Sequence, residues 1–134
     1  MIISAATALI DQELQKEVWL EIEDGVIRSI NSGTTPEYDL RYEGILIPGF
    51  VDIHCHGGGG KYFASLTDSE ITQVIATHRA GGTVAGLASL VTEPIPNLIA
   101  QIKRLVPFAQ RGEIAGIHLE GRYLSHARCG AHDP

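Results

Sequence analysis

His54, Cys55 and His56 stand consecutively in a chain of 134 residues. On an extended strand, side chains i and i+2 share a face, so the two imidazoles point one way and the thiol points the other. Two imidazole nitrogens at that spacing can chelate one divalent cation. A pair of strand-end histidines in ordinary hydrogen bonds fits the same letters. Asp52 has the parity of His54 and His56, which places it one layer deeper on their face. Gly116-Ile117-His118-Leu119-Glu120-Gly121 repeats the pattern, with Ile117 and Leu119 on one face and His118 and Glu120 on the other. A carboxylate at an inward strand end needs a charge partner or a metal, because burying it alone is costly.

Other polar features have structural explanations. Residues 57–60 are four glycines followed by Lys61. A phosphate-binding GxxxxGK[ST] loop would need Gly at 55 and Ser or Thr at 62, and the chain has Cys55 and Tyr62. That reading is rejected in favour of a flexible loop whose bare backbone lets a ligand approach. His78 falls on the apolar side of a helix and reads as a core histidine. Lys103, Arg104 and Arg111 complement the negative end of a helix dipole. Ser125, His126, Arg128, His132 and Asp133 would by themselves be a solvated tail.

The elements that must position these groups follow from periodicity. Residues 2–10, 18–23, 26–30 and 42–47 read as strands, with Asp24-Gly25 as a hairpin turn. Pro48-Gly49 punctuates the chain. Three apolar strands then begin near 50, 83 and 114, a spacing close to the roughly 30-residue βαβ repeat. Between them, Thr67-Asp68-Ser69-Glu70 has capping-box form, and Ile71, Val74, Ile75 and His78 follow helical spacing. Gly81-Gly82 would close that helix in a left-handed turn. Pro94 opens a second helix whose stripe is Ile95, Leu98, Ile99, Ile102, Leu105 and Val106. Apolar strands covered by amphipathic helices imply a parallel sheet, and ligand sites gather at the carboxyl ends of such strands. Both histidines and Glu120 fall there.

Composition narrows the classes. Ten basic against 16 acidic residues give a net charge of −6, with 44% hydrophobic and 19% charged residues. That hydrophobicity argues against disorder. The lack of a basic surplus argues against nucleic-acid binding. No apolar stretch approaches the ~18 residues of a membrane span. The start lacks the basic flank of a secretory signal. Two cysteines far apart, Cys55 and Cys129, read as reduced thiols of a cytoplasmic protein. The length suits one ordinary domain rather than a whole (β/α)8 barrel of about 250 residues.

Residues 47–57, Ile-Pro-Gly-Phe-Val-Asp-Ile-His-Cys-His-Gly, resemble the amidohydrolase superfamily signature PGFxDxHxH. Gly116-Ile117-His118-Leu119-Glu120-Gly121, followed by Leu124-Ser125 and Gly130-Ala131-His132-Asp133-Pro134, is similar to the GxHLEGPFLS…GAHxP stretch of the N-acetylglucosamine-6-phosphate deacetylase family. The resemblance covers the whole chain and the first third or so of a family-length protein. It implies an α/β fold in which residues 1–47 form a small N-terminal β-layer, part of a β-sandwich. Residues 48–134 would be the first three strands and two helices of an incomplete (β/α)8 barrel.

The implied activity is metal-dependent hydrolysis of N-acetylglucosamine 6-phosphate to glucosamine 6-phosphate and acetate. Glu120, His54 and His56 match metal-ligand positions; members lacking the histidine pair use one metal. Ala131 and His132 match positions near the sugar phosphate, and the catalytic acid/base is expected beyond Pro134. The cofactor is expected to be a divalent metal, zinc ahead of iron, manganese or cobalt. The expected partner is a small amino-sugar phosphate, with no nucleic acid and no membrane, in a homo-oligomeric full-length protein. Arg122 stands where the family has proline, which removes a fixed φ just after Glu120. As an N-terminal fragment, the chain is expected to be inactive alone and loosely packed. The competing readings are an amidohydrolase acting on a cyclic amide, against which the HLEG and GAHDP segments speak, and a non-catalytic truncated remnant.

Overall fold

The computed structural model, which describes residues 1–65, 67–121 and 123–132, divides into two units, Met1–Pro48 and Gly49–Pro134. Arg122, Asp133 and Pro134, singled out above, lie outside the described residues.

In the first unit, strands β1 (Ile2–Ile10), β2 (Glu13–Glu23), β3 (Val26–Ser32) and β4 (Leu40–Leu46) form one sheet in the order β3-β2-β1-β4. Asp24 and Gly25 have φ of 51° and 74°, the double positive φ of a type I′ hairpin turn. A second such turn carries no glycine: Asp11 and Gln12 have φ of 49° and 69° between the paired residues Ile10 and Glu13. β2 therefore begins at Glu13, ahead of the alternation that starts at Val18. β4 runs parallel to β1 on the edge away from β2. The core here is small: Ala8, Val18 and Leu20, with Ile10, Ile22 and Leu46 packed on them.

In the second unit, β5 (Phe50–Cys55), β8 (Thr83–Leu90) and β9 (Gly116–Leu119) make a parallel sheet in chain order. The helices α1 (Asp68–Ala80) and α2 (Ile95–Gln110) connect them, and β6 (Gly57–Gly58) pairs with β7 (Lys61–Tyr62) in a short hairpin. Residues 57–60 are thus partly strand, not only loop. Ile71, Val74, Ala88, Leu90, Leu105 and Phe108 are buried between helices and sheet. Of the second helix's expected stripe, Leu98 and Leu105 are buried and Ile102 packs on the cluster, while Ile95, Ile99 and Val106 stay exposed. The stripe is wider than the surface the sheet offers, and Phe108 fills the core instead.

The ends of α1 differ in detail from a capping box. Thr67 makes no side-chain cap to the backbone; its hydroxyl donates to Glu70 Oε2 at 3.0 Å. Gly82, with φ of 92°, makes the left-handed turn after the helix. Glu70 also takes Lys61 Nζ at 2.8 Å, tying the hairpin to α1. The hydrogen bonds from Lys61 and then Thr67 hold the Glu70 carboxyl below its ordinary range, against a smaller upward push from burial. A lowered folded-state value means stabilisation that is present above the ordinary carboxylate range and lost as pH falls through the depressed value. Glu70→Gln is therefore expected to lower the urea midpoint at neutral pH. The gap from the parent should close on acidification; a gap that persists in acid would contradict this linkage.

Candidate metal centre

The site begins with an irregularity in β5. Asp52 lies opposite Gly86 and Cys55 opposite Ala88, so three steps on β5 match two on β8. The extra residue is a β-bulge, which reverses the alternation of side chains beyond it. Asp52 consequently shares a face with Cys55: carboxylate, thiol and His78 ring offer ligand atoms all within 4.8 Å of one another. This corrects the expectation that Asp52 lies on the face of His54 and His56. Asp52 Oδ1 accepts the backbone N–H of His54 at 3.1 Å, giving a partner to a donor in the bulge.

On the other face, His54 and His56 come together as their spacing predicts, with their Nε2 atoms 3.0 Å apart. β9 pairs with β8 so that His118 lies opposite Ser89, and Ile117 packs into the helix-side core. Glu120, one residue past β9, is held by its N–H donating to the Leu90 carbonyl at 2.8 Å. Its Oε2 lies 2.7 Å from His56 Nε2 and 3.2 Å from His54 Nε2. Its Oε1 lies 3.4 Å from Nε2 of His132, which follows the short 3-10 turn His126–Arg128. Three imidazoles thus surround one carboxylate. Burial pushes the Glu120 carboxyl up, but hydrogen bonds from His54, His132 and His56 outweigh it, and the group sits below its ordinary range.

Ser89, 1% exposed, organises the rings. Its hydroxyl accepts the Cys55 N–H at 3.1 Å and meets His118 Nδ1 at 3.0 Å. Its carbonyl lies 3.1 Å from His56 Nδ1, so that nitrogen carries the proton. The His118 ring packs edge-on against His54, centroids 4.9 Å apart. His118 therefore orients His54. Sequence reasoning missed Ser89. Its signal was a hydroxyl among the apolar residues at the end of β8.

The donor set suits a divalent cation. With its Nδ1–H donated to the Ser89 carbonyl, neutral His56 presents a bare Nε2 to an anionic oxygen only 2.7 Å away. That contact requires a second ring proton or a shared cation. Tetrahedral zinc with Zn–N of about 2.0–2.1 Å sets nitrogen ligands a little over 3 Å apart, and the two histidine nitrogens are already at 3.0 Å. An anchored Nδ1–H is the arrangement that frees Nε2 as a ligand. A cavity of about 380 Å³ opens beside this cluster, lined by His56, Val91, Thr92, Glu120, Ala131 and His132. Ala131 and His132 therefore border the space next to the carboxylate.

No family model matches the chain. It is 31% identical, over an alignment of 144 residues and its whole length, to an N-acetylgalactosamine-6-phosphate deacetylase of Shewanella sp. (strain ANA-3), of which it spans 36%. It is 25% identical over 143 residues to an N-acetylglucosamine-6-phosphate deacetylase of Bacillus subtilis (strain 168), again spanning 36% of that protein. The crystal structure of N-acetyl-D-glucosamine-6-phosphate deacetylase from Mycobacterium smegmatis is similar over the whole chain, with a TM-score of 0.89 and 42% identity, the chain covering 39% of it. A mutant of that protein has been solved in complex with N-acetyl-D-glucosamine-6-phosphate. The chain thus spans little more than a third of the length of the relatives it matches.

Ser89→Ala is expected to orphan the Cys55 N–H and release His118, costing about 1–3 kcal/mol as for other unsatisfied buried groups. Denaturant unfolding measures this. His56 should keep its Nδ1–H tautomer in the variant, by nitrogen NMR, because its acceptor is a backbone carbonyl; loss of that tautomer would contradict the assignment.

Proposed function

We propose that this chain, a homologue of the amino-sugar-6-phosphate deacetylases, carries His54, His56 and Glu120 as ligands of the metal centre in a hydrolase. The reaction removes the acetyl group of N-acetylglucosamine 6-phosphate and yields glucosamine 6-phosphate and acetate. The observation that carries the reading is the convergence of His54 at the end of β5 and His56 just past it on a carboxylate just past β9, at the carboxyl end of one parallel sheet. A bound divalent ion, zinc ahead of iron, manganese or cobalt, supplies Lewis-acid polarisation of the amide carbonyl and activation of the attacking water.

The chain's own residues hold and orient. Glu120 brings the negative charge that balances the ion. The Ser89 carbonyl fixes the His56 tautomer, and His118 sets the His54 ring. Ala131 and His132, bordering the cavity beside Glu120, are read as contacts to the sugar phosphate. The general acid/base is assigned to residues beyond Pro134. The glucosamine epimer is favoured over the galactosamine one because the Mycobacterium smegmatis match is the higher in identity, 42% against 31%.

The same reading takes residues 1–47 as part of a β-sandwich and the parallel sheet as the opening of a (β/α)8 barrel. Support comes from the sheet's two faces. The helix side is packed, whereas Val51 and Ile53 on the other side are 67% and 70% exposed. Apolar residues on both faces are what barrel strands require. No helix among the described residues is long and apolar enough to cross a membrane. The reading places the protein in the cytoplasm, in a homo-oligomer, acting on a small molecule.

Two measurements test it. The chain alone, with added zinc, is expected to release no acetate from N-acetylglucosamine 6-phosphate above the metal-only blank. A chimera in which it replaces the matching segment of the Mycobacterium smegmatis deacetylase is expected to release acetate. In that chimera Glu120→Gln should lose most of its metal by elemental analysis, and His118→Asn should retain more than it, since a positioning change typically costs roughly 10–100-fold in affinity. Equal metal loss in both variants would remove Glu120 from the ligand set. Turnover of a cyclic amide in place of the amino sugar would favour the other amidohydrolase reading.

A further inference from the structure

We propose that Cys55, His78 and Asp52 form a second cation site, for a thiophilic divalent ion of the zinc or cadmium type, on the helix-facing side of β5. The inference does not rest on the deacetylase reading. It starts from a crowded group of donors. Cys55 Sγ lies 3.0 Å from His78 Nε2 and 3.3 Å from the Gly57 carbonyl oxygen, and that oxygen is 3.0 Å from the same ring nitrogen. A thiol and a neutral imidazole bring at most two hydrogens to these three close contacts. If the thiol donates to His78, the bare ring nitrogen faces a carbonyl oxygen. If both donate to Gly57, sulfur and nitrogen meet with no proton between them. A cation at the centre satisfies sulfur, nitrogen and oxygen together.

Asp52 completes the set. It serves the bulge through Oδ1 and has a second carboxylate oxygen to offer. The three side-chain ligand atoms lie within 4.8 Å of one another. Thiolate, imidazole and carboxylate are the donor types of four-coordinate zinc, with Zn–S near 2.3 Å and Zn–N about 2.0–2.1 Å. At a tetrahedral angle such bonds set sulfur and nitrogen about 3.5 Å apart, so the observed pair opens by roughly half an ångström when the ion enters. The Gly57 carbonyl stands as the fourth donor. A cavity of about 30 Å³ bordered by Asp52, Cys55, Phe63, Ile75, His78 and Ile114 adjoins the group. That space holds about one ion or water.

The backbone is shaped to keep these donors close. A Cβ on Gly57 would lie 2.1 Å from the Lys61 carbonyl oxygen, and one on Gly58 would lie 2.8 Å from His78 Nε2. The hairpin β6–β7 can bring the Gly57 carbonyl to the thiol and the ring only because these positions lack side chains.

The test uses the whole chain, stripped of metal and titrated with cobalt(II). X-ray absorption at the cobalt edge is expected to show a sulfur scatterer at about 2.3 Å, with a sulfur-to-cobalt charge-transfer band in the near ultraviolet. Both signals should survive Cys129→Ala and Glu120→Gln and vanish in Cys55→Ala; His78→Gln should weaken the binding at least tenfold. On the unaltered chain, zinc should slow alkylation of Cys55 by iodoacetamide and leave Cys129 unaffected. A cobalt shell without sulfur, a sulfur shell that persists in Cys55→Ala, or equal alkylation of Cys55 with and without zinc would overturn the proposal.

Discussion

One extra residue in β5 sets the chemistry of the second unit. Without the bulge between Asp52 and Cys55, strict alternation would put Asp52 beneath the two histidines. A third polar group would then crowd the face where Glu120 already needs cationic partners. With the bulge, the aspartate turns to the helix side and its carboxylate accepts the His54 N–H. The same bond therefore stabilises the irregular backbone and fixes the first of the two imidazoles. Everything else about the cluster assumes this geometry. β9 then needs only ordinary parallel pairing with β8 to deliver Glu120 to the histidines.

The cluster is a balance of charge around a single carboxylate. Burial works against ionised Glu120, and three imidazoles work for it with the greater effect. With its Nδ1–H committed to the Ser89 carbonyl, neutral His56 would face this anion without a proton to share. Ser89 constrains the way out. By accepting the Nδ1–H of His56 at its carbonyl it directs the free nitrogen of that ring toward the carboxylate. Ser89 is itself buried, so its hydroxyl cannot turn to water, and it supports the Cys55 N–H and His118 at once. A small hydroxyl in the middle strand thus couples the Cys55 backbone on one outer strand to the His118 ring on the other.

Much of this was legible in the letters, and the rest was not for identifiable reasons. Apolar runs locate the three parallel strands and period-3.6 patterns both helices, because burial leaves a direct mark on composition. The spacing of His54 and His56 foretells a shared face, and the inward parity of Glu120 foretells their meeting. The bulge was not legible, since a register slip is a property of two strands paired, and the sequence shows one at a time. The Asp11-Gln12 turn lacked a signal because Gln12 holds φ of 69° under the constraint of the paired β1 and β2 rather than by its own preference. The stripe of α2 overstated the core because helix amphipathicity reports every apolar position, whether or not the sheet reaches it.

The same strand end presents two different donor sets on its two faces, and the difference follows from the chain's alternation. His54 and His56 face a carboxylate from another strand, with nitrogen and oxygen donors and an open cavity. Cys55 faces the helix, among a ring nitrogen from α1, a carbonyl from the hairpin and Asp52, with apolar neighbours. The first environment leaves room for a small molecule to approach the donors, as a reactive centre must. The second is nearly filled by its own ligands, as suits a cation that ties strand, hairpin and helix together. If both are occupied, the bulge holds the two sites in fixed relation, because Asp52 touches one set directly and anchors the other through His54. A change at Cys55 or His78 would then reach the opposite face through the backbone of β5 itself, with no contact between the two sets of side chains.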